Sequence, residues 1–119
     1  MSDLVVTIPM RVWSEWLAEG DCAGDPPSGA AYVYWCGPSK PPIEPGERLY
    51  IVAHRWVRGY APVKCITRGD SGRYGIVREG GAVAVTIPEN VQGFRGFRRR
   101  WWKHEDEKPF GGWKFIGVV

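Results

Sequence analysis

The sequence predicts one α+β domain spanning residues 1–119, a small and strongly bent β-barrel of five to six strands with one N-terminal helix. Three observations lead there. Short β-branched and aromatic runs recur along the chain, each bounded by Gly- and Pro-rich turns. One early segment instead repeats its apolar residues at helical spacing. The length of 119 residues, 44% hydrophobic and 24% charged, suits one ordinary globular core and is too short for two. An aromatic content of 13% supplies enough large apolar surface to offset the ordering entropy, so the core should be rich in Trp and Val.

In chain order, Leu4 to Ile8 reads as a β-branched strand, and Pro9 presets a helical φ where no backbone donor is needed. Val12, Trp13, Trp16 and Leu17 then share one face, Arg11 and Glu15 lie one turn apart on the other, and Gly20 can end the helix, giving bounds of about 9–19. Residues 20–30 form a loop, and Ala31 to Cys36 reads as a strand. Gly37 to Gly46 holds four prolines and delivers the chain into Arg48 to His54, a run apolar on both faces that suits a central strand. Val57 to Ile66 continues as another strand. Its alternation predicts Val57, Gly59, Ala61 and Val63 pointing into the barrel and Trp56, Arg58 and Tyr60 pointing the other way. Thr67 to Arg73 is a turn-rich connection, followed by short strands over Tyr74 to Arg78, Ala82 to Ile87 and Gly112 to Val119. Thr86-Ile87-Pro88 echoes Thr7-Ile8-Pro9, so both sites are candidates to open a helical turn.

Composition excludes several classes. Met1 to Met10 carries Asp3, lacks a basic start and has only a short apolar stretch, so no secretory signal is read and a cytoplasmic location is expected. No stretch reaches the roughly 20 apolar residues of a membrane helix. Cys22, Cys36 and Cys65 are odd in number and widely spaced, which argues for free thiols rather than disulfides or a thiolate metal site. Neither a metal nor a cofactor is expected, since His54 and His104 lack ligand or triad spacing and the glycines at 69–72 and 80–81 lack a P-loop lysine.

The strand leading into a short helix, then Pro-Gly-Glu-Arg-Leu-Tyr-Ile-Val-Ala-His at 45–54 and Val-Arg-Gly-Tyr-Ala-Pro-Val at 57–63, resembles the PUA-like superfamily and within it the ASCH and EVE domains. The resemblance implies a PUA-like pseudobarrel and a cleft between helix and barrel that holds RNA or a modified base. It carries over no catalytic residue, because the G-x-K-x-x-E-x-R motif of ASCH domains is absent.

Chemistry-bearing residues concentrate late in the chain. The net charge is only +3, but eleven of the sixteen basic residues are arginine, whose planar fork matches phosphates and whose flat face stacks on rings. Within 93–103, five cations (Arg95, Arg98, Arg99, Arg100, Lys103) interleave with Phe94, Phe97, Trp101 and Trp102. Arginines neutralise phosphates and release counterions, and exposed rings stack on bases at roughly 1–3 kcal/mol each. The competing reading makes Phe94, Phe97 and one Trp core residues and the arginines a solvated face neutralised by Glu105, Asp106 and Glu107. A second candidate is a cleft lined by Arg11, Trp13, Trp16, Trp35, Arg58 and Tyr60, an aromatic cage for a flat base.

The expected function is therefore a non-catalytic nucleic-acid-binding module, RNA favoured over DNA, with no membrane contact. One alternative is an ASCH-like hydrolase or ribonuclease acting on RNA or a modified nucleoside, with Arg11, Glu15, Arg58 and Tyr60 as site residues. Another is a protein-binding accessory factor of phage or mobile-element type whose Trp-Arg surface meets an acidic partner.

Overall fold

A computed structural model describes residues 3–9, 11, 13–14, 17, 32–79, 82–113 and 115. Among the described residues there are eight strands, β1 (Leu4–Thr7), β2 (Tyr32–Trp35), β3 (Arg48–Ala53), β4 (Trp56–Arg68), β5 (Tyr74–Arg78), β6 (Val85–Thr86), β7 (Phe97–Arg99) and β8 (Lys108–Pro109), and one 3-10 turn at His104–Asp106. Six form one mixed sheet in the order β2-β5-β4-β3-β1-β7, and β6 pairs with β8 in a small ribbon. Only the β1–β3 pair is parallel within the six-stranded sheet.

The sheet curls into a half-barrel because β4 is long enough to serve two neighbours. Its first half pairs with β3 and its second with β5, and a bulge interrupts each ladder. Each bulge adds local bend and twist. Arg48 to Ala53 is central, as its apolar run on both faces predicts: Leu49 and Ile51 enter one buried cluster with Leu4, Val6, Ala61, Val63 and Ile76. Tyr50 and Val52 enter the other with Val5, Val57, Ile87, Val91 and Trp102. We call these the inner and outer faces. The core is rich in valine, and Trp13, Trp102 and Trp113 are all buried.

The bulge opposite Ile51 and Val52 overturns the alternation expected in β4. Ile51 pairs with Gly59 and Val52 with Val57, leaving Arg58 as the extra residue. Val57 consequently lies on the outer face with Tyr60, while Arg58 turns inward against Trp13 and Phe110. Gly59 is required by a close crossing: a Cβ there would lie 2.5 Å from the Val83 carbonyl, where Tyr60 and Val83 exchange backbone hydrogen bonds of 3.0 and 2.8 Å. The β3–β4 turn is a two-residue hairpin in which both central residues, His54 (φ 50°) and Arg55 (φ 68°), adopt positive φ. Right-handed strand twist demands that geometry even of non-glycine residues.

Several expectations change. The helix over about 9–19 falls mostly outside the described residues; Arg11, Trp13, Ser14 and Leu17 have helical backbone, and the Trp13 N–H donates to the Pro9 carbonyl at 3.0 Å. No α-helix with defined bounds is present among the described residues, so what they form is a sheet structure rather than the expected α+β arrangement. The second Thr-Ile-Pro site opens no helix, since Pro88 and Glu89 form a bend. Within 112–119, Gly112 and Trp113 belong to a turn, and the rest, Phe115 apart, lies outside the described residues. Among the described residues no helix is long and apolar enough to cross a membrane.

Candidate nucleic-acid interface

β7 is an edge strand held by its backbone to β1, with Val6 opposite Phe97, Val5 opposite Arg98 and Leu4 opposite Arg99. Strand alternation therefore points Phe97 at the inner core, which it packs against, and Arg98 to the outer face. Arg95, Arg98, Arg99 and Lys103 are exposed. The Arg98 guanidinium lies 4.4 Å from the Phe94 ring centroid, a cation–π contact that fixes its position over the surface.

The other members of the run have structural duties. Arg100 donates through Nε to Asp3 at 3.0 Å and through Nη1 to the Trp102 carbonyl. Asp3 also accepts from the Arg48 backbone N–H at 2.9 Å and lies 3.0 Å from His104 Nε2. Burial pushes the Asp3 carboxyl upward, but the Arg48 amide, His104 and Arg100 together outweigh it and leave it below the ordinary aspartate value. Trp102 is buried, its ring edge-on to Tyr50 at 5.0 Å and its Nε1 donating to Glu107 at 2.9 Å. Glu107 accepts two further bonds, from Tyr50 Oη and from Arg48 Nη1. Arg48 in turn stacks 4.1 Å from the Tyr60 centroid. Burial and the bond to Glu107 hold the Tyr50 hydroxyl well above its ordinary pKa. These two carboxylates clamp residues 100–107 onto the sheet. Glu107 thus serves Arg48 rather than the arginine run, and His104 is an Asp3 partner rather than a purely solvated turn residue.

Trp101 is the ring of the run left open, 44% exposed. Trp102 supports it edge-to-face at 4.9 Å, and its Nε1 makes a long 3.4 Å bond to Glu89. Trp101 and Arg98 line an open groove of about 470 Å³ together with Glu89, Asn90, Val91, Gln92 and Gly93. The polar residues of 89–92 are ones the sequence did not single out; the only local signal is an Asn and a Gln among apolar neighbours after a proline. The 90–91 segment is seated on the β3–β4 turn, where the Arg55 carbonyl accepts from Val91 N–H at 2.8 Å and from Asn90 Nδ2 at 3.4 Å.

The five described members of the expected cleft lie apart from one another, Trp13 and Arg58 excepted. Arg11 is exposed and Trp16 lies outside the described residues. Trp13 and Arg58 meet in the inner core, 5.4 Å apart, with no exposure to speak of. Tyr60 is on the outer face beneath Arg48, and Trp35 lies at the far edge of the sheet on β2. Arg58 is instead a core tie: Nε donates to the Ala53 carbonyl at 2.8 Å, and Nη1 donates to the Trp113 and Phe115 carbonyls at 2.7 and 2.8 Å. Its Nη2 has no hydrogen-bond partner, and burial lowers its pKa. A guanidinium in this setting ties Trp113 and Phe115 to the core through their carbonyls. Glu15, paired with Arg11 in the hydrolase alternative, lies outside the described residues.

Cys36 is buried, which raises its thiol pKa, whereas Cys65 is exposed; Cys22 lies outside the described residues. Among the described residues no group of three or more His, Cys, Asp and Glu side chains could hold a metal ion. Comparison with family models, curated proteins and solved structures returns no match to this chain.

Proposed function

We propose that this chain is a cytoplasmic, non-catalytic PUA-like module that binds single-stranded nucleic acid, RNA in preference to DNA, at the groove beside β7. The observation that carries the reading is the pairing of an exposed, rigidly supported indole, Trp101, with the exposed cation Arg98 in one open groove. A base stacked on Trp101 would place its phosphates near Arg98, with the exposed Arg95 and Lys103 as further cations of the same run. Asn90 and Gln92 supply side-chain amides that can meet base edges. The groove's width to solvent favours a splayed single strand, whose bases are available for stacking, over a closed duplex. The curled mixed sheet and the glycine crossing at Gly59 are consistent with the PUA-like part of the proposal.

The test is fluorescence anisotropy with labelled single-stranded RNA, single-stranded DNA and duplexes across a salt series. Three phosphate contacts would give a slope of log K against log salt near −2.1 on a single strand, about 0.7 per contact. Changing Arg95, Arg98 and Lys103 together to Ala should abolish most of that slope, while Arg100, committed to Asp3, is left alone. Absence of binding to every probe at low salt overturns the proposal. Equal binding to polyglutamate would move the reading to an acidic protein partner.

A further inference from the structure

We infer that Trp35 forms a second stacking platform, at the opposite edge of the sheet, for another part of the same nucleic-acid strand; this rests on the single-strand reading above. Trp35 ends β2 and is 45% exposed. Its indole lies against backbone: a Cβ at Gly69 would sit 3.0 Å from its Cη2 and Cζ3, and one at Gly75 would sit 3.1 Å from its Cε3 and Cζ3. Two glycines, from the β4–β5 turn and from the facing position of β5, thus make room for one ring. A cross-strand aromatic over one glycine is a common way to shield a weak strand position. Here the shielding leaves nearly half of the residue open to solvent, and the Val33 side chain sits beside the ring over Gly75.

The charges beside it suit a phosphate chain. Arg73 donates through Nε to the carbonyl of Cys36, the residue next to Trp35, at 2.8 Å. That bond pins an exposed guanidinium beside the strand that carries the indole. Arg68 is exposed as well and stacks 5.2 Å from the Tyr74 ring centroid. Asp70, at the tip of the same turn, is the opposing charge between them.

Both platforms open on one face of the sheet. Tyr34 and Ile76 face each other and pack on the inner cluster, so their neighbours Trp35 and Gly75 point outward. Arg98 stands opposite Val5, which also points outward. The six strands from β2 to β7 set five spacings of roughly 4.8 Å, about 24 Å along the surface. At the roughly 3.4 Å rise of a stacked strand this is about seven nucleotide steps. A tetranucleotide can engage one platform only, whereas a 16-mer can engage both and gains by effective concentration.

The experiment measures stoichiometry and affinity of fluorescein-labelled oligouridylate 4-mers and 16-mers for the full chain, its Trp35→Ala and Trp101→Ala variants, and Arg68→Gln/Arg73→Gln. The native chain should take up two 4-mers or one 16-mer. Trp35→Ala should take up one 4-mer and bind the 16-mer about tenfold more weakly, and Arg68→Gln/Arg73→Gln should lower the 16-mer salt slope by about 1.4. If Trp35→Ala and the arginine pair leave 16-mer binding unchanged while Trp101→Ala weakens it, the second platform is refuted and the groove reading stands. If no variant changes binding, the groove reading itself falls. Should Trp35→Ala fail to fold, the arginine pair decides alone.

Discussion

Replacing Glu107 by Ala should be among the most damaging single changes outside the inner core. The Glu107 side chain is 7% exposed and accepts from Trp102 Nε1, Tyr50 Oη and Arg48 Nη1. Bonds to a charged acceptor are each worth about 1.5–3 kcal/mol, and a buried donor left alone loses its solvation as well. Trp102 and Tyr50 are both buried, so those two bonds account for about 3–6 kcal/mol. Arg48 is 31% exposed and can turn to water, so its share is close to nothing. For a domain of this size about 4 °C of Tm accompanies each kcal/mol, so Tm should fall by about 12–24 °C. Urea denaturation of the native chain, Glu107→Ala, Tyr50→Phe and the double variant measures the coupling directly. A loss below about 1 kcal/mol in Glu107→Ala, or purely additive single changes, would refute the clamp.

Further outcomes follow from the same contacts. Asp3 has a lowered pKa, so its stabilisation is complete above the unfolded aspartate value of about 3.9 and is lost as pH falls through the lower folded value. Asp3→Asn should flatten acid unfolding monitored by circular dichroism. Tyr50 has a raised pKa, so its share is complete below the unfolded tyrosine value of about 10 and is lost as pH climbs from there toward the folded value. Tyr50→Phe should remove that alkaline decline in urea midpoint. Gly59→Ala should cost about 1–3 kcal/mol by overpacking against the Val83 carbonyl. Gly111→Ala, with open space around the new methyl, should stay within about 0.5 kcal/mol.

What could be read from the sequence was whatever depended on local pattern. β1, β3 and β5 are short runs dominated by β-branched or aromatic residues with turn residues beside them, and Tyr74–Arg78 was bounded correctly. β7 escaped because Phe-Arg-Arg has no apolar alternation; it is a strand by virtue of backbone pairing to β1, some 90 residues earlier. The Arg58 bulge was equally hidden, and it separates two of the expected cleft residues by sending Arg58 inward and leaving Tyr60 outside. The candidate strip was legible as a density of arginines and rings, but its division into exposed and committed members was not. That division depends on carboxylates far away in sequence, Asp3 for Arg100 and Glu107 for Trp102 and Tyr50. The sequence reading made Glu107 a neutraliser of the arginine run; packing turned it toward Arg48.

The central claim is that Trp101, braced by Trp102 beside Arg98, is where a base is held. Ultraviolet crosslinking of oligouridylate to the full chain, followed by mass spectrometry of the peptides, locates that contact directly. Crosslinks should appear in the peptide containing Trp101 and be lost from that peptide in Trp101→Ala while the fold is kept. Crosslinks confined to other peptides, with Trp101→Ala binding as tightly as the native chain, would contradict it.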